Sequence, residues 1–192
     1  MDVLDGLQGQ RIITLTSDIN QRQVDDLCRR LLELGLESAE EIRILIDSDG
    51  GDVRPALSIS DLIPCIKAPV TGIVIGRCFS AANLILQACG LRMALKHAVF
   101  VLHHTSTTVK FSHHFSREKN LALFERSFLE GEDIQRKSER LIASRSSKSI
   151  EEVRKLMHDG DELDARMHAA EAKEFGLIDQ ILEDKGWLFV KK

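Results

Sequence analysis

The sequence lacks the signals that mark metal, nucleic-acid and membrane proteins. Its four cysteines form no CxxC pair and no other metal-ligand spacing, which favours small core residues in a reducing compartment. Lysine and arginine number 26 against 30 aspartates and glutamates, and the net charge of −4 argues against a nucleic-acid partner. No apolar run approaches the ~18 residues of a membrane span, and the polar start MDVLDGLQGQ lacks the hydrophobic region of a signal peptide. We therefore expect a cytoplasmic protein without nucleic-acid or membrane partners.

What the sequence does contain is an alternation of strand and helix patterns. Of its 192 residues, 43% are hydrophobic and 29% are charged, as in an ordinary globular protein. No linker or repeat divides them, so we expect one domain over residues 1–192. Apolar runs predict strands at 11–16, 42–47, 70–75, 92–94, 98–102 and 178–182, with helices between them. This alternation is typical of an α/β fold with a parallel sheet.

A long charged helix is predicted over residues 117–147, with an interruption at Gly131. Its apolar residues are too few to pack the whole helix against one core. They are Leu121, Phe124, Phe128, Ile134 and Leu141. Such a helix either projects from the domain or packs against another subunit. Near the start of the chain, Gly35 is expected to close the first helix.

The most informative stretch is VTGIVIGRCFSAA, residues 70–82. Here an apolar strand runs through a glycine turn into Ser80, which is expected to open a helix. A helix start carries a partial positive charge that would stabilise an oxyanion. A serine in this place has a second interpretation as a plain helix N-cap.

Two further strand ends bring polar groups toward the same edge of the predicted sheet. One strand ends in Ser48-Asp49-Gly50-Gly51, and the run AVFVL ends at His103. Because parallel α/β sheets bind ligands beyond the carboxyl ends of their strands, serine, glycines and histidine together predict a nucleophile site. Histidine is the residue type that accepts a serine proton near neutral pH. If the strand register differs by one residue, His104 takes this role.

Other site types are not supported by the spacing of these residues. Gly50-Gly51 lacks the GxGxxG pattern of a dinucleotide site. The tandem His113-His114 has no accompanying cysteine or paired carboxylates, so we expect no metal and no cofactor. A GxSxG elbow is also missing, which argues against an α/β-hydrolase.

Together these pieces resemble the proteolytic subunit of the Clp protease, within the wider ClpP/crotonase fold. The motifs are RIITLT, IRILIDSDGG, the strand-turn-helix around Ser80, VFVLH and AAEAKEFGLID, in the family's order over about residues 11–182. The resemblance implies repeated β-β-α units with a parallel sheet and a protruding handle helix over 117–147. It also implies a serine endopeptidase that cleaves peptides or unfolded proteins inside homo-oligomeric rings.

The family's site residues carry over by position. The resemblance implies Ser80 as the nucleophile, His103 as the general base and Asp164 as the triad acid, with Asp159 and Asp161 close by as alternatives. It places the oxyanion hole at the backbone amides of Gly51 and Ala81. An acid in this role fixes the histidine tautomer and stabilises the imidazolium.

The sequence departs from the family at several of these places. Ala81-Ala82 follows Ser80 where the family usually has Met-Gly, and the segment between His103 and Asp164 is longer than usual. An AAA+ unfoldase is the candidate partner, but only ten residues precede the first strand, which argues against docking. Two alternatives remain open: a catalytically inactive structural relative, and a crotonase-like acyl-CoA enzyme, which would not need Ser80 and His103 together.

Overall fold

The computed structural model describes residues 11–158 and 165–183. Its strands are β1 (Ile12–Leu15), β2 (Ile42–Ser48), β3 (Val70–Phe79), β4 (Leu91–Leu95), β5 (Val99–Leu102), β6 (Ala165–His168) and β7 (Gln180–Leu182). Its helices are α1 (Gln21–Glu37), α2 (Val53–Leu62), α3 (Ala82–Ala88), α4 (Arg117–Ser146), α5 (Ile150–His158) and α6 (Ala169–Phe175). A short 3₁₀ turn, Ile63–Cys65, follows α2.

The strands form one mixed sheet in which most neighbours are parallel. The main path is β1-β2-β3-β4-β7, all parallel. A second branch leaves β3, where β5 pairs parallel to β3 and antiparallel to β6. The parallel α/β prediction is confirmed. The sequence did not predict β6, a polar four-residue strand, ARMH.

The strand β3 is long because it serves both branches of the sheet. Its first half pairs with β4 and its end pairs with β5. Between Ile46 and Ser48 of β2 the pairing register with β3 shifts. The side chain of Asp47 lies close to β3 at this point. A Cβ at Gly76 would lie 2.7 Å from Asp47 Oδ1. The predicted glycine turn is therefore wrong: Gly76 allows a close contact inside a strand that continues to Phe79.

The predicted helix breaks at two other glycines are also wrong. The helix α1 passes through Gly35, where a Cβ would meet Ile66 Cγ2 at 2.9 Å. The helix α4 passes through Gly131, where a Cβ would meet Thr107 Oγ1 at 2.9 Å. At both positions the helix continues through the glycine, and the missing Cβ makes room for another segment that packs closely against it.

The core surrounds the sheet, and a side-chain cap fixes the start of α2. The apolar run in β2 is buried on both faces, with Ile42, Ile44 and Ile46 fully inaccessible, as expected for a central parallel strand. The side chain of Asp52 accepts a hydrogen bond from Arg54 N and caps α2.

The long helix α4 packs on the core only near its C-terminal end. Its buried residues are Ser138, Glu139, Ile142, Ala143 and Ser146. The N-terminal part carries exposed Leu121, Phe124, Phe128 and Leu129. The helix therefore extends beyond the core, as its sparse apolar pattern predicts. Within the described ranges, no helix is long and apolar enough to cross a membrane.

Candidate active site

The backbone at Ser80 adopts a conformation that serine rarely takes. Ser80 follows β3 directly and has a φ of 51°, in the left-handed region. Its N–H donates to Val101 O at 2.9 Å, and Asn83 N donates to Ser80 O at 3.1 Å. The buried amide of Asn83 also donates to Cys78 O and Val101 O, at 2.8 and 3.0 Å. Strained residues of this kind concentrate at functional sites, so this conformation marks Ser80 as a candidate functional residue.

The hydroxyl of Ser80 does not cap the following helix. The N-cap of α3 is Ala81, with helical dihedrals and no side-chain cap. The alternative interpretation of Ser80 as a plain N-cap is therefore excluded. Ser80 instead lines a cavity of about 280 Å³, which Gly51, Ala81 and His103 also line.

The turn at Gly50-Gly51 lies directly against the Ser80 turn. Both glycines have positive φ, 90° and 142°. A Cβ at Gly50 would lie 2.6 Å from Phe79 O and 2.7 Å from Ser80 Cβ. A Cβ at Gly51 would clash with Ile19 O. Only glycine fits at either position, and Gly51 lines the serine cavity.

The imidazole of His103 is oriented by its own neighbour. His103 follows β5, and its Nδ1 lies 2.7 Å from the carbonyl oxygen of His104. A carbonyl can only accept a hydrogen bond, so Nδ1 carries the proton and Nε2 is left as the basic atom. Of the two adjacent histidines, His103 lines the Ser80 cavity, whereas His104 lines a separate cavity beside Glu139.

Asp164, with its alternatives Asp159 and Asp161, lies outside the described residues. The described chain resumes at Ala165, which pairs with Leu102, the residue before His103. Cys78, two residues before Ser80, is fully buried, and burial raises the pKa of its thiol well above the usual value. It therefore does not compete as a nucleophile. The tandem His113-His114 does not line the Ser80 cavity.

Charged side chains brace the two turns, and one of them, Asp49, also lines the cavity. Arg77 Nε and N donate to Asp47 Oδ1 at 3.0 and 2.8 Å, and Arg77 Nη1 donates to Asp49 Oδ2 at 2.6 Å. The hydrogen bonds from Arg77 lower the pKa of Asp47, so its carboxylate stays ionised. Because Asp49 precedes Gly50, this ion-pair cluster joins the glycine turn to the strand that carries Ser80.

Comparison with known proteins agrees with this architecture. The family model for Clp protease matches residues 1–185. The chain belongs to the Clp protease family. Among solved structures, a point mutant of ClpP1 from Listeria monocytogenes aligns with a TM-score of 0.81 and 25% identity, covering 97% of this chain and 99% of that one. Membership in the Clp protease family supports a peptidase function in general, and the sheet with its long helix matches the ClpP fold.

A polar network behind His103 is not predicted from the sequence. Gln135 and Glu139 lie one turn apart on α4. Gln135 accepts a hydrogen bond from Thr105 N–H, in the segment after His103, and donates one to Glu139. Glu139 also accepts a hydrogen bond from Arg154 of α5. On a charged helix, two polar residues at this spacing are typical of a solvated face. Their burial depends on how α5 and the segment after β5 pack on α4, which no local pattern encodes.

Proposed function

We propose that this chain is a serine endopeptidase that cleaves peptides or unfolded proteins inside an oligomeric chamber. The observation that carries the proposal is the strained turn at Ser80, which shares one cavity with His103 and the Gly51 and Ala81 backbone. His103 and a serine hydroxyl that does not cap a helix line this one cavity. Nucleophilic catalysis requires such a pair, with the base able to reach the nucleophile.

The reaction follows from these groups. His103 Nε2 takes the proton of Ser80 as its hydroxyl oxygen attacks the peptide carbonyl. The amides of Gly51 and Ala81 donate to the oxyanion that develops. The imidazolium of His103 then gives its proton to the leaving amine, and water hydrolyses the acyl-enzyme by the same steps.

Asp164 is the proposed triad acid. The support is that the neighbouring residue, Ala165, pairs with Leu102, directly before His103. Because Nδ1–H of His103 is donated to the His104 carbonyl, a carboxylate near this place would stabilise the imidazolium through its negative charge.

The cavity wall favours apolar side chains of a peptide substrate. Beside Ser80 it is lined by Leu84, Leu102, Ile142 and Met157. These side chains come from four different elements, α3, β5, α4 and α5, so they form a fixed apolar wall rather than a loop surface. We expect the enzyme to cleave after apolar residues.

Assembly into rings is proposed from the exposed part of α4. Leu121, Phe124, Phe128 and Leu129 are 46–61% exposed on one helix that leaves the core. Apolar side chains in such number on a surface are typical of an interface. Rings joined through α4 would enclose the Ser80 cavities in a chamber, with an AAA+ unfoldase as candidate partner and the cytoplasm as location.

Hydrolysis by the Ser80→Ala variant tests the proposed reaction. We expect loss of hydrolysis of a fluorogenic peptide with an apolar residue before the scissile bond, by about 10³-fold or more, with the oligomer size unchanged. Ser106→Ala is the matched control, because Ser106 lines the same cavity and has no role in the chemistry. Full activity of Ser80→Ala would contradict the proposal.

A further inference from the structure

The imidazole of His103 begins a chain of hydrogen bonds that runs through two amide groups. Its Nδ1–H donates to the His104 carbonyl at 2.7 Å. The same peptide unit donates through Thr105 N–H to Gln135 Oε1 at 2.8 Å. The side-chain amide of Gln135 in turn donates through Nε2 to Glu139 Oε1 at 3.0 Å.

The chain ends on a buried carboxylate. Glu139 is 1% exposed, and Arg154 donates to it through Nη2 at 2.7 Å and Nε at 3.2 Å. Burial by itself would raise the pKa of Glu139, but the hydrogen bonds from Arg154 and Gln135 outweigh it and lower the pKa. Glu139 is therefore ionised, and its negative charge lies at the acceptor end of the chain.

Every hydrogen bond in this chain points in the same direction. The orientation of the Gln135 amide is set by its partners, because Thr105 N–H needs an acceptor and the Glu139 carboxylate needs a donor. Hydrogen bonds aligned head to tail through amides polarise one another. The charge of Glu139 therefore makes the His104 carbonyl a stronger acceptor for His103 Nδ1–H.

We propose that Glu139 and Gln135 are positioning residues that act on His103 through the peptide unit between His104 and Thr105. They hold the imidazole in the tautomer with Nδ1 protonated and favour the imidazolium that forms when Ser80 loses its proton. No proton leaves His103 along the chain: each hydrogen stays on its donor, and only the polarisation changes. This inference rests on the proposed peptidase function.

Two variants of the purified, assembled protein test the role of the chain. Gln135→Met removes both amide links, and Glu139→Gln keeps the shape and an acceptor oxygen but removes the charge. We expect each to slow acylation of Ser80 by a fluorophosphonate about tenfold, and to lower kcat for a peptide with KM unchanged. Because both residues act through one chain, the double variant should be slowed little more than either single variant.

Lys137→Met is the matched control on the same helix, since Lys137 pairs with Asp133 at 2.7 Å and takes no part in the chain. Melting temperature and oligomer size are recorded for every variant. Hydrogen exchange at the Thr105 amide gives a readout independent of catalysis, and it should speed up in Gln135→Met but not in Lys137→Met.

The outcomes separate this inference from the proposed function. Labelling of the wild type together with wild-type rates in Gln135→Met and Glu139→Gln would overturn the inference and leave the peptidase intact. Unchanged exchange at Thr105 in Gln135→Met would overturn it as well. A wild-type chain that is never labelled would refute the proposed function and, with it, the catalytic role of the chain.

Discussion

At the scale of single residues, backbone conformation brings the candidate groups together. Ser80, Gly50 and Gly51 all have positive φ, at 51°, 90° and 142°. The two turns contact each other through Gly50, whose missing side chain makes room for Phe79 O and the Ser80 side chain. The absence of a Cβ at Gly50 thus lets the glycine turn approach Ser80 this closely.

The variant Gly50→Ala tests this contact. A Cβ there would meet backbone at 2.6 Å and the Ser80 side chain at 2.7 Å, at a φ that alanine rarely adopts. We expect the free energy of unfolding to fall by about 1–3 kcal/mol and fluorophosphonate labelling of Ser80 to be lost, measured by urea denaturation and intact mass. Gly90→Ala is the control, because a Cβ at Gly90 meets only Val70 O, at 3.6 Å. Equal behaviour of the two variants would contradict the role given to Gly50.

At the scale of elements, a buried arginine ties the end of α4 and the turn after α6 to the sheet. Arg92 on β4 donates to the carbonyl oxygens of Gly176 and Arg145 at 2.9 and 3.0 Å. It also binds Asp179 through Nη2, Nε and its backbone N–H, at 2.5, 3.2 and 2.8 Å. Arg92 therefore holds together β4, the end of α4 and the turn between α6 and β7.

The variant Asp179→Asn tests this junction through its pH dependence. Burial alone would raise the pKa of Asp179, but the Arg92 hydrogen bonds outweigh it and lower the pKa. A lowered pKa in the folded state stabilises the protein above the unfolded pKa of about 3.9, and the effect disappears as the pH falls through the folded value. We expect wild type to be more stable than Asp179→Asn at pH 6, with the difference shrinking below about pH 4.

Urea denaturation at a series of pH values measures that difference. Asp61→Asn provides the control, since Asp61 is exposed and forms no ion pair with the described residues. A stability difference that stays constant from pH 6 to pH 3 would contradict the assignment.

How far the sequence predicts these elements depends on where their stabilising contacts come from. The apolar run of β2 encodes its own burial, so this strand is predicted from the sequence, whereas the predicted end of α1 at Gly35 is wrong because the helix continues to Glu37. Strand β6 was missed because its four residues form a strand only by pairing with β5. At the site, Ser80 and His103 follow apolar strands and were recognisable, whereas the burial of Glu139 depends on tertiary packing.

At the scale of the whole molecule, α4 divides into an anchored end and an outer end. The anchored end carries Gln135, which accepts a hydrogen bond from Thr105 N–H after His103, and Glu139, which accepts one from Gln135. The outer end carries a stacked aromatic pair, Phe124 and Phe128, with ring centroids 6.4 Å apart. If subunits associate through the outer end, the same helix contacts both another subunit and the catalytic histidine segment.

The double variant Phe124→Ser with Phe128→Ser tests assembly through the outer end of α4. These side chains are 46% and 56% exposed, so their replacement should leave the folded subunit intact. We expect a smaller assembly by sedimentation velocity and an unchanged circular dichroism spectrum. The pair Phe124→Leu with Phe128→Leu keeps the apolar surface and should assemble as wild type. Assembly of the serine variant at wild-type size would place the interface elsewhere.

Intact-mass spectrometry after fluorophosphonate treatment tests the central claim, that His103 activates Ser80, most directly. We predict a single adduct per chain, located on Ser80, that is lost in Ser80→Ala and strongly reduced in His103→Ala. The two residues line one cavity, and Nε2 of His103 is the free basic nitrogen. A folded, assembled sample that forms no adduct, or forms one without His103, would contradict the account and indicate a structural member of the Clp protease family.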